Sequence, residues 1–517
     1  MSRHLPTTLA TSMLLVGCHG GKSPTPAPPP TTLVVQTQQP APGSTTDVDA
    51  NVAVVFESEP DPTTLAKEAL IVSDGSGPLS GTLRYDSKTR TWAWIADGQL
   101  PRGALIHVEI ADSVRGALGV PLSGRYSWSF RVRAGAPLPP QSIANGITTD
   151  TGGGNRSVFT GLFPDGRSLI AAETWAWTLD AGGPGPAESV PDGRVRGLHL
   201  DATGTAAALT VGPASSLLPI HVSHRDSSGS WSPTEPIANT PNGSLVGTTL
   251  MGNEVGDLLL RTHTSLFAQG LEQSNLYWSA AAAPDHWRQL STSQTLAWTW
   301  SEPPATIDGA GRVASMSLGS GFFPPLLVER HNPNTGANLT SIVAQGSFYQ
   351  IESLTARDSG ALHAIWHELG GTTWQRTATA DGEFGPTSEV PVGVPARSNW
   401  LAAPTGTMVG WLGSKVVRFD AATGEWAEAT LETEPLTAAI SPRGEAIFLH
   451  LSSPTDPSLQ LVRWRAGETI DPPLLIAAGL GPVTAARDAA VAVDAAGRVI
   501  VAFVPASPGE LRGIRVE

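Results

Sequence analysis

From residue 33 to about residue 133 apolar and polar positions alternate with a period of two, interrupted by Gly, Pro and Asp. That is the pattern of half-buried strands joined by tight turns. It predicts strands at 33–37, 51–57, 69–73, 81–86, 91–95, 105–110 and 126–132. In the last of these Tyr126, Trp128 and Phe130 fall on one face and Ser127, Ser129 and Arg131 on the other, as a strand with one wet face requires. Seven short strands within about a hundred residues point to two sheets packed face to face.

Beyond Ala136 the rhythm changes to an internal repeat in which a polar turn with a glycine precedes a short apolar strand. The copies read FPDGRSLIAAE, LDATGTAAALTV, IDGAGRVASMSL, RDSGALHAIWHE, SPRGEAIFLHL and VDAAGRVIVAFV, with weaker copies NEVGDLLLRTH and PTGTMVGWLG. Their turn glycines are Gly166, Gly204, Gly256, Gly311, Gly360, Gly406, Gly444 and Gly497. The spacing of roughly 38 to 55 residues is that of one propeller blade. A second hairpin with an aromatic after its turn follows many copies, as in HVSHRDSSGSWSPTEPI and VVRFDAATGEWAEA. Each unit therefore carries four strands. Eight blades are expected, with seven the alternative. The last unit supplies a third strand at 511–516, and its fourth would come from 142–149, ahead of the first unit, which closes the ring and leaves no open edge.

Two resemblances sharpen this picture. VAVVFESEPDPTTL, LPRGALIHVEI and YSWSFRV resemble the bacterial Ig-like domain first described in S-layer proteins. The resemblance implies an immunoglobulin-type sandwich that serves as a spacer or adhesion module and holds no catalytic residues. Asp226, Gly229 and Trp231 resemble the Asp-box turn of sialidase-like propellers, as do Asp420, Gly424 and Trp426 with one residue inserted. There the Asp carboxylate accepts backbone N–H groups and the Trp packs between blades, so the resemblance implies structural turns. The expected fold is all-β, an Ig-like β-sandwich at 33–134 followed by a β-propeller at 135–517.

Composition adds mainly exclusions. The 517 residues exceed what one core usually serves. A net charge of -14 without any Lys or Arg run argues against nucleic acid as a partner. The only cysteine is Cys18, which leaves no intramolecular disulfide, no Cys-held metal and no thiol nucleophile in the folded part. Its setting is that of an exported chain: Arg3, a short apolar stretch, then Leu15, Val16, Gly17 and Cys18. These four residues resemble a bacterial lipobox, which implies a lipoprotein signal peptide at 1–17, cleavage before Cys18 and lipid on its sulfur and new amino group. Several acyl chains hold a protein durably to a membrane. Residues 18–32, with the run SPTPAPPPTT, form a Pro-rich tether. The chain is thus expected to be exported and membrane-anchored, its body in the periplasm or at the cell surface.

Three candidate chemistries have residues to suggest them. His363, His367 and Glu368 would put two imidazoles on one metal if helical, but Trp366 and the flanking Gly360, Gly370 and Gly371 favour a strand. There the two imidazoles stand about 13 Å apart, too far for one ion. His221 and His224 fall on opposite strand faces. Sialidase chemistry lacks its Arg-Ile-Pro motif and has few tyrosines to draw on, since Tyr85 and Tyr126 belong to the first domain. No nucleophile elbow, P-loop or dinucleotide fingerprint is present. No catalytic residue, cofactor or metal is assigned. The favoured reading is a non-enzymatic envelope protein whose propeller binds a protein or polysaccharide. The loops at 298–300, 322–325 and 348–349, with Trp298, Trp300, Phe322, Phe348 and Tyr349, are richest in binding candidates. The alternative is a secreted glycan hydrolase or lyase with unrecognised active-site loops.

Overall fold

The computed structural model describes residues 32–147, 158–212, 217–241, 245–266, 271–296, 304–319, 324–345, 347, 349–368, 371–380, 382–394, 398–452, 458–478, 489–505 and 509–516. Strands dominate, and the only helical turns among the described residues are 3-10 turns at Pro62–Thr64 and Lys67–Ala69.

The alternating segment folds as two sheets. One orders Val35–Gln39, Val52–Phe56, Thr91–Ala96 and Gly81–Asp86. The other orders Thr45–Thr46, Tyr126–Val132, Leu105–Ile110, Leu70–Asp74 and Gly77–Pro78. Alternate residues turn inward, so Val52, Val54 and Phe56 from one sheet meet Ile106, Trp128 and Phe130 from the other in a single core that also buries Trp92. The first strand begins two residues later than its apolar pattern suggests, because Leu33 is spent on an isolated bridge to Leu122, where its side chain is fully buried.

Eight further sheets follow among the described residues, seven of them each the product of one repeat. Their innermost strands are Val158–Leu162, Arg194–Leu200, Leu245–Gly252, Ala305–Ile307, Tyr349–Ala356, Asn399–Ala402, Pro435–Ile440 and Ala489–Val493. Each touches the next and the last touches the first, so the sheets are the blades of a closed eight-bladed propeller, numbered here in chain order. Blade 8 takes Ala489–Val493, Val499–Phe503 and Leu511–Val516 from the C-terminal repeat. Its outer strand, Gln141–Ala144, comes from ahead of blade 1 and pairs antiparallel with Leu511–Val516. That strand is shorter than the expected 142–149, and residues 148 and 149 lie outside the described residues.

The second strand of each blade is covered on both faces by its neighbours. Ser168–Ala172, Ala206–Val211 and Val499–Phe503 are buried at every position, which is why they read as unbroken apolar runs rather than alternation. The first turn of each blade needs a residue in the left-handed region, and all eight predicted glycines sit there, with φ between 73° and 93°. A side chain would be strained at that angle.

Candidate functional site

The eight first turns share one end of the propeller, and their polar side chains tie them together. In blade 4 Asp308 Oδ1 accepts the N–H groups of Ala310 and Arg312, both at 2.9 Å, and Oδ2 accepts from Arg312 Nε at 2.7 Å. The same guanidinium donates to the carbonyl of Ser359 in the blade 5 turn at 3.2 Å. Blade 8 repeats the device: Asp494 caps its own turn and orients Arg498, which donates to Pro164 O of blade 1 at 3.0 Å. Asn253 of blade 3 donates to Asp308 O at 3.0 Å. Asp or Asn followed four residues later by Arg or Asp is the sequence signal for these links.

The sandwich packs against this same end. Asp74 accepts two hydrogen bonds from Arg443 in the blade 7 turn, at 3.0 and 2.8 Å, with its own side chain nearly inaccessible. Arg102 N donates to Ala496 O of the blade 8 turn at 3.1 Å. Glu468 of blade 7 accepts from Leu105 N at 3.3 Å and Arg131 at 3.1 Å. A cleft of about 400 Å³ remains at the junction, with Trp94, Asp97, Asp494 and Arg498 in its wall. Its two arginines are already engaged, Arg443 by Asp74 and Arg498 by Asp494.

The opposite end of the propeller is left uncovered by the sandwich. Three large apolar side chains stand exposed there: Trp175 opening the third strand of blade 1, Leu217 opening that of blade 2, and Leu412 ending the second strand of blade 6, at 41, 45 and 42 % exposure. Arg194 and Asn399, each at the start of an innermost strand, are exposed at the same end, and Tyr349 is half-buried there. Of the aromatic candidate loops, Trp298, Trp300, Phe322 and Phe348 lie outside the described residues. Cys18 and its neighbours Leu15, Val16 and Gly17 do as well.

The histidine motif lies in the strand Leu362–Glu368. His363 is buried, hydrogen-bonded to Gln375 Oε1 at 2.9 Å and edge-on to Phe419. Burial pushes its pKa down to about 4, against the raising effect of Gln375. His367 bonds Thr373 Oγ1 at 3.1 Å, and Glu368 accepts the Trp374 indole N–H at 3.0 Å. His221 bonds the carbonyl of Thr234 at 2.9 Å, and burial lowers the pKa of His224. Among the described residues no three His, Cys, Asp or Glu side chains gather closely enough to hold an ion.

Asp226 and Asp420 occupy hairpins between the third and outer strands of blades 2 and 6. Asp226 Oδ1 accepts from Ser228 Oγ and from the N–H groups of Ser228 and Ser230, bonds that hold its carboxyl below the usual range. Gly229 takes the left-handed turn position, and Trp231 donates across the seam to Glu188 of blade 1 at 3.0 Å. Asp420 accepts from Ala422 N at 2.9 Å, Gly424 has φ 76°, and Trp426 donates to Gln375 of blade 5 at 3.2 Å. Beside the first of these, Arg225 forms a two-pronged pair with Glu188, both contacts 2.7 Å. This pair leaves no local signal in the sequence, because its members lie in different repeats.

No helix among the described residues is long and apolar enough to cross a membrane. No curated protein matches the chain. Among solved structures, the mitotic checkpoint complex is 14% identical over 74% of this chain and 92% of that one, with a TM-score of 0.40. Dipeptidyl peptidase 4 of Porphyromonas gingivalis is 9% identical over 72% of this chain and 60% of that one, with a TM-score of 0.42. Alpha-L-arabinanase of Penicillium chrysogenum, complexed with arabinobiose, is 14% identical over 55% and 93%, with a TM-score of 0.29. Residues 29–132, a stretch that includes the strands of the sandwich, match the family described as bacterial Ig-like domain.

Proposed function

We propose that this chain is a non-enzymatic, lipid-anchored protein of the bacterial cell envelope. Lipid on Cys18 holds it to the membrane, residues 18–32 form the tether, the sandwich is a spacer, and the propeller binds a protein or polysaccharide of the envelope. The observation that supports this reading best is the placement of the sandwich. It covers the turn end of the propeller near blades 7 and 8, so the end carrying Trp175, Leu217 and Leu412 stays accessible. Aromatic and aliphatic side chains on the same end as Arg194 and Asn399 supply the apolar anchors and polar rim through which protein partners are gripped.

The test is a pull-down from detergent-solubilised envelope with the purified lipidated chain as bait. A specific partner should be retained by the native chain and lost from one carrying Trp175→Ala, Leu217→Ser and Leu412→Ser. Periodate or protease treatment of the envelope then tells sugar from protein. Cys18→Ser should move the chain from the membrane to the soluble fraction. Retention of nothing, together with turnover of an envelope polysaccharide, would replace this reading with an enzymatic one.

A further inference from the structure

The sandwich meets the propeller at one pole and takes its chain in at the other. Leu105 pairs with Arg131 beside Glu468 of blade 7, and Ile110 pairs with Tyr126 at the far end of the same two strands. The loop 111–125 that joins Ile110 to Tyr126 therefore caps the pole remote from the propeller. Leu33 is bonded into that loop: its N–H donates to Pro121 O at 2.8 Å, and its carbonyl accepts from Ser123 N at 2.9 Å. The tether thus joins the sandwich at the remote pole.

Within the loop, residues 115–121 close a tight hairpin. Arg115 bridges to Pro121, Gly116 N donates to Val120 O and Gly119 N to Gly116 O, both at 2.8 Å, and Ala117 N donates to Glu59 O at 2.9 Å. Its tip is Leu118, 77 % exposed, more than any other large apolar side chain among the described residues. Turns favour Gly, Asn, Asp and Ser, and Leu118 takes no part in the sandwich core. The fold alone gives no reason for a leucine here. No charge occurs in 116–124, and Arg115 and Arg125 bracket that run. Both guanidiniums are engaged, Arg125 by Glu109 at 2.6 Å and Arg115 by the carbonyls of Asp112 and Val114. What the hairpin offers is an apolar tip, not a charged patch.

We propose that this hairpin rests on the lipid surface of the membrane that carries the anchor, with Leu118 seated among the acyl chains. The inference rests on the lipid on Cys18 proposed above. Residues 18–32 are fifteen and span at most about 50 Å when fully extended, so the remote pole stays within reach of the bilayer. One leucine would not hold a free protein there. In a tethered protein the second contact is intramolecular, and a weak one then suffices. Lipid is the occupant because the pole that exposes Leu118 is the pole that receives the tether, and burying an aliphatic tip is non-directional and needs no matching charge. Long arginine side chains at the edge of such a contact lay their stems on apolar surface and keep their heads in water. Docked in this way the sandwich stands on end, and the propeller end with Trp175, Leu217 and Leu412 faces away from the membrane.

Hydrogen exchange tests this, with the lipidated chain in protein-free phosphatidylcholine vesicles compared with the Cys18→Ser chain in solution. Amides of 116–120 should exchange more slowly on the vesicles, while those of Leu105–Ile110 exchange alike in both. Leu118→Asp should abolish the slowing and leave the melting temperature unchanged, and Leu118→Ile should retain it. A chain held by its lipid whose hairpin exchanges as fast as in solution overturns this proposal alone. Slowing that survives Leu118→Asp overturns it too, and so does slowing seen only in native envelope, which would assign the tip to a protein. A native chain as soluble as Cys18→Ser removes the anchor, and the proposal falls with it.

Discussion

The sandwich and the propeller are both all-β, yet they bury different things. The sandwich closes over one continuous apolar core, with Trp92, Phe56, Ile106 and Phe130 inside it. Apart from Asp74 at the joint, the buried polar and charged side chains among the described residues, from Ser168 to Arg465, lie in the propeller. A strand with one wet face can leave its polar residues in water, as Tyr126–Val132 does with Ser127 and Arg131. A blade wedged between two others has no wet face, so its polar side chains must find partners inside the seams. Burial without a partner costs about 1–3 kcal/mol per group. The difference teaches that the sandwich is held mainly by area and the propeller also by matched polar contacts, which titration and single substitutions can disrupt.

The contrast breaks most sharply at the seam between blades 1 and 2. Glu188→Ala removes the partner of Arg225, whose side chain is only 6 % exposed, and also the acceptor for Trp231. Leaving a buried guanidinium unpaired should cost about 3–5 kcal/mol. In urea unfolding followed by hydrogen exchange, amides of the propeller should lose protection while those of Val52–Phe56 and Leu105–Ile110 keep it. Equal loss in both domains would mean that they unfold as one unit.

Acid should part the two domains next. His363 has a folded pKa near 4 against 6.5 in the unfolded chain, so between these values the unfolded chain takes up the proton first. The stability it contributes is therefore complete above about pH 6.5 and falls away as the pH drops toward 4, by about 3 kcal/mol in all. Burial lowers His199, His224 and His450 in the same direction. Propeller stability measured at pH 7 and pH 4.5 should differ by clearly less in His363→Phe than in the native chain. An unchanged difference would place the acid sensitivity in other groups.

The smallest effect is expected at the joint. Arg443→Ala leaves Asp74 without its two charged hydrogen bonds and should loosen the sandwich from the turn end by about 2 kcal/mol while both cores stay folded. Small-angle scattering should then report a wider spread of interdomain distances. A scattering profile identical to the native one would mean that Arg102, Glu468 and their partners hold the joint without Arg443.

Much of this architecture was legible in residue order. The strands at 81–86, 105–110 and 126–132 coincide with the observed ones, because alternation is a local consequence of a pleated strand facing a core on one side. The eight turn glycines were legible for a similar reason, since a left-handed position excludes most side chains whatever surrounds it. The candidate face was much less so. Trp175, Leu217 and Leu412 lie far apart in the chain, and nothing local distinguishes them from the buried Trp177, Leu209 or Trp411.

By itself the sequence determined which segments extend, where they turn and that a repeat of four strands runs from blade to blade, since each of these rests on interactions within a few residues or one repeat. Only the tertiary structure decided that the ring closes at eight with Gln141–Ala144 on its last blade, that Arg225 meets Glu188, and which end the sandwich covers. Those contacts join residues tens to hundreds of positions apart. They are chosen by the shape of surfaces that exist only once the blades have formed.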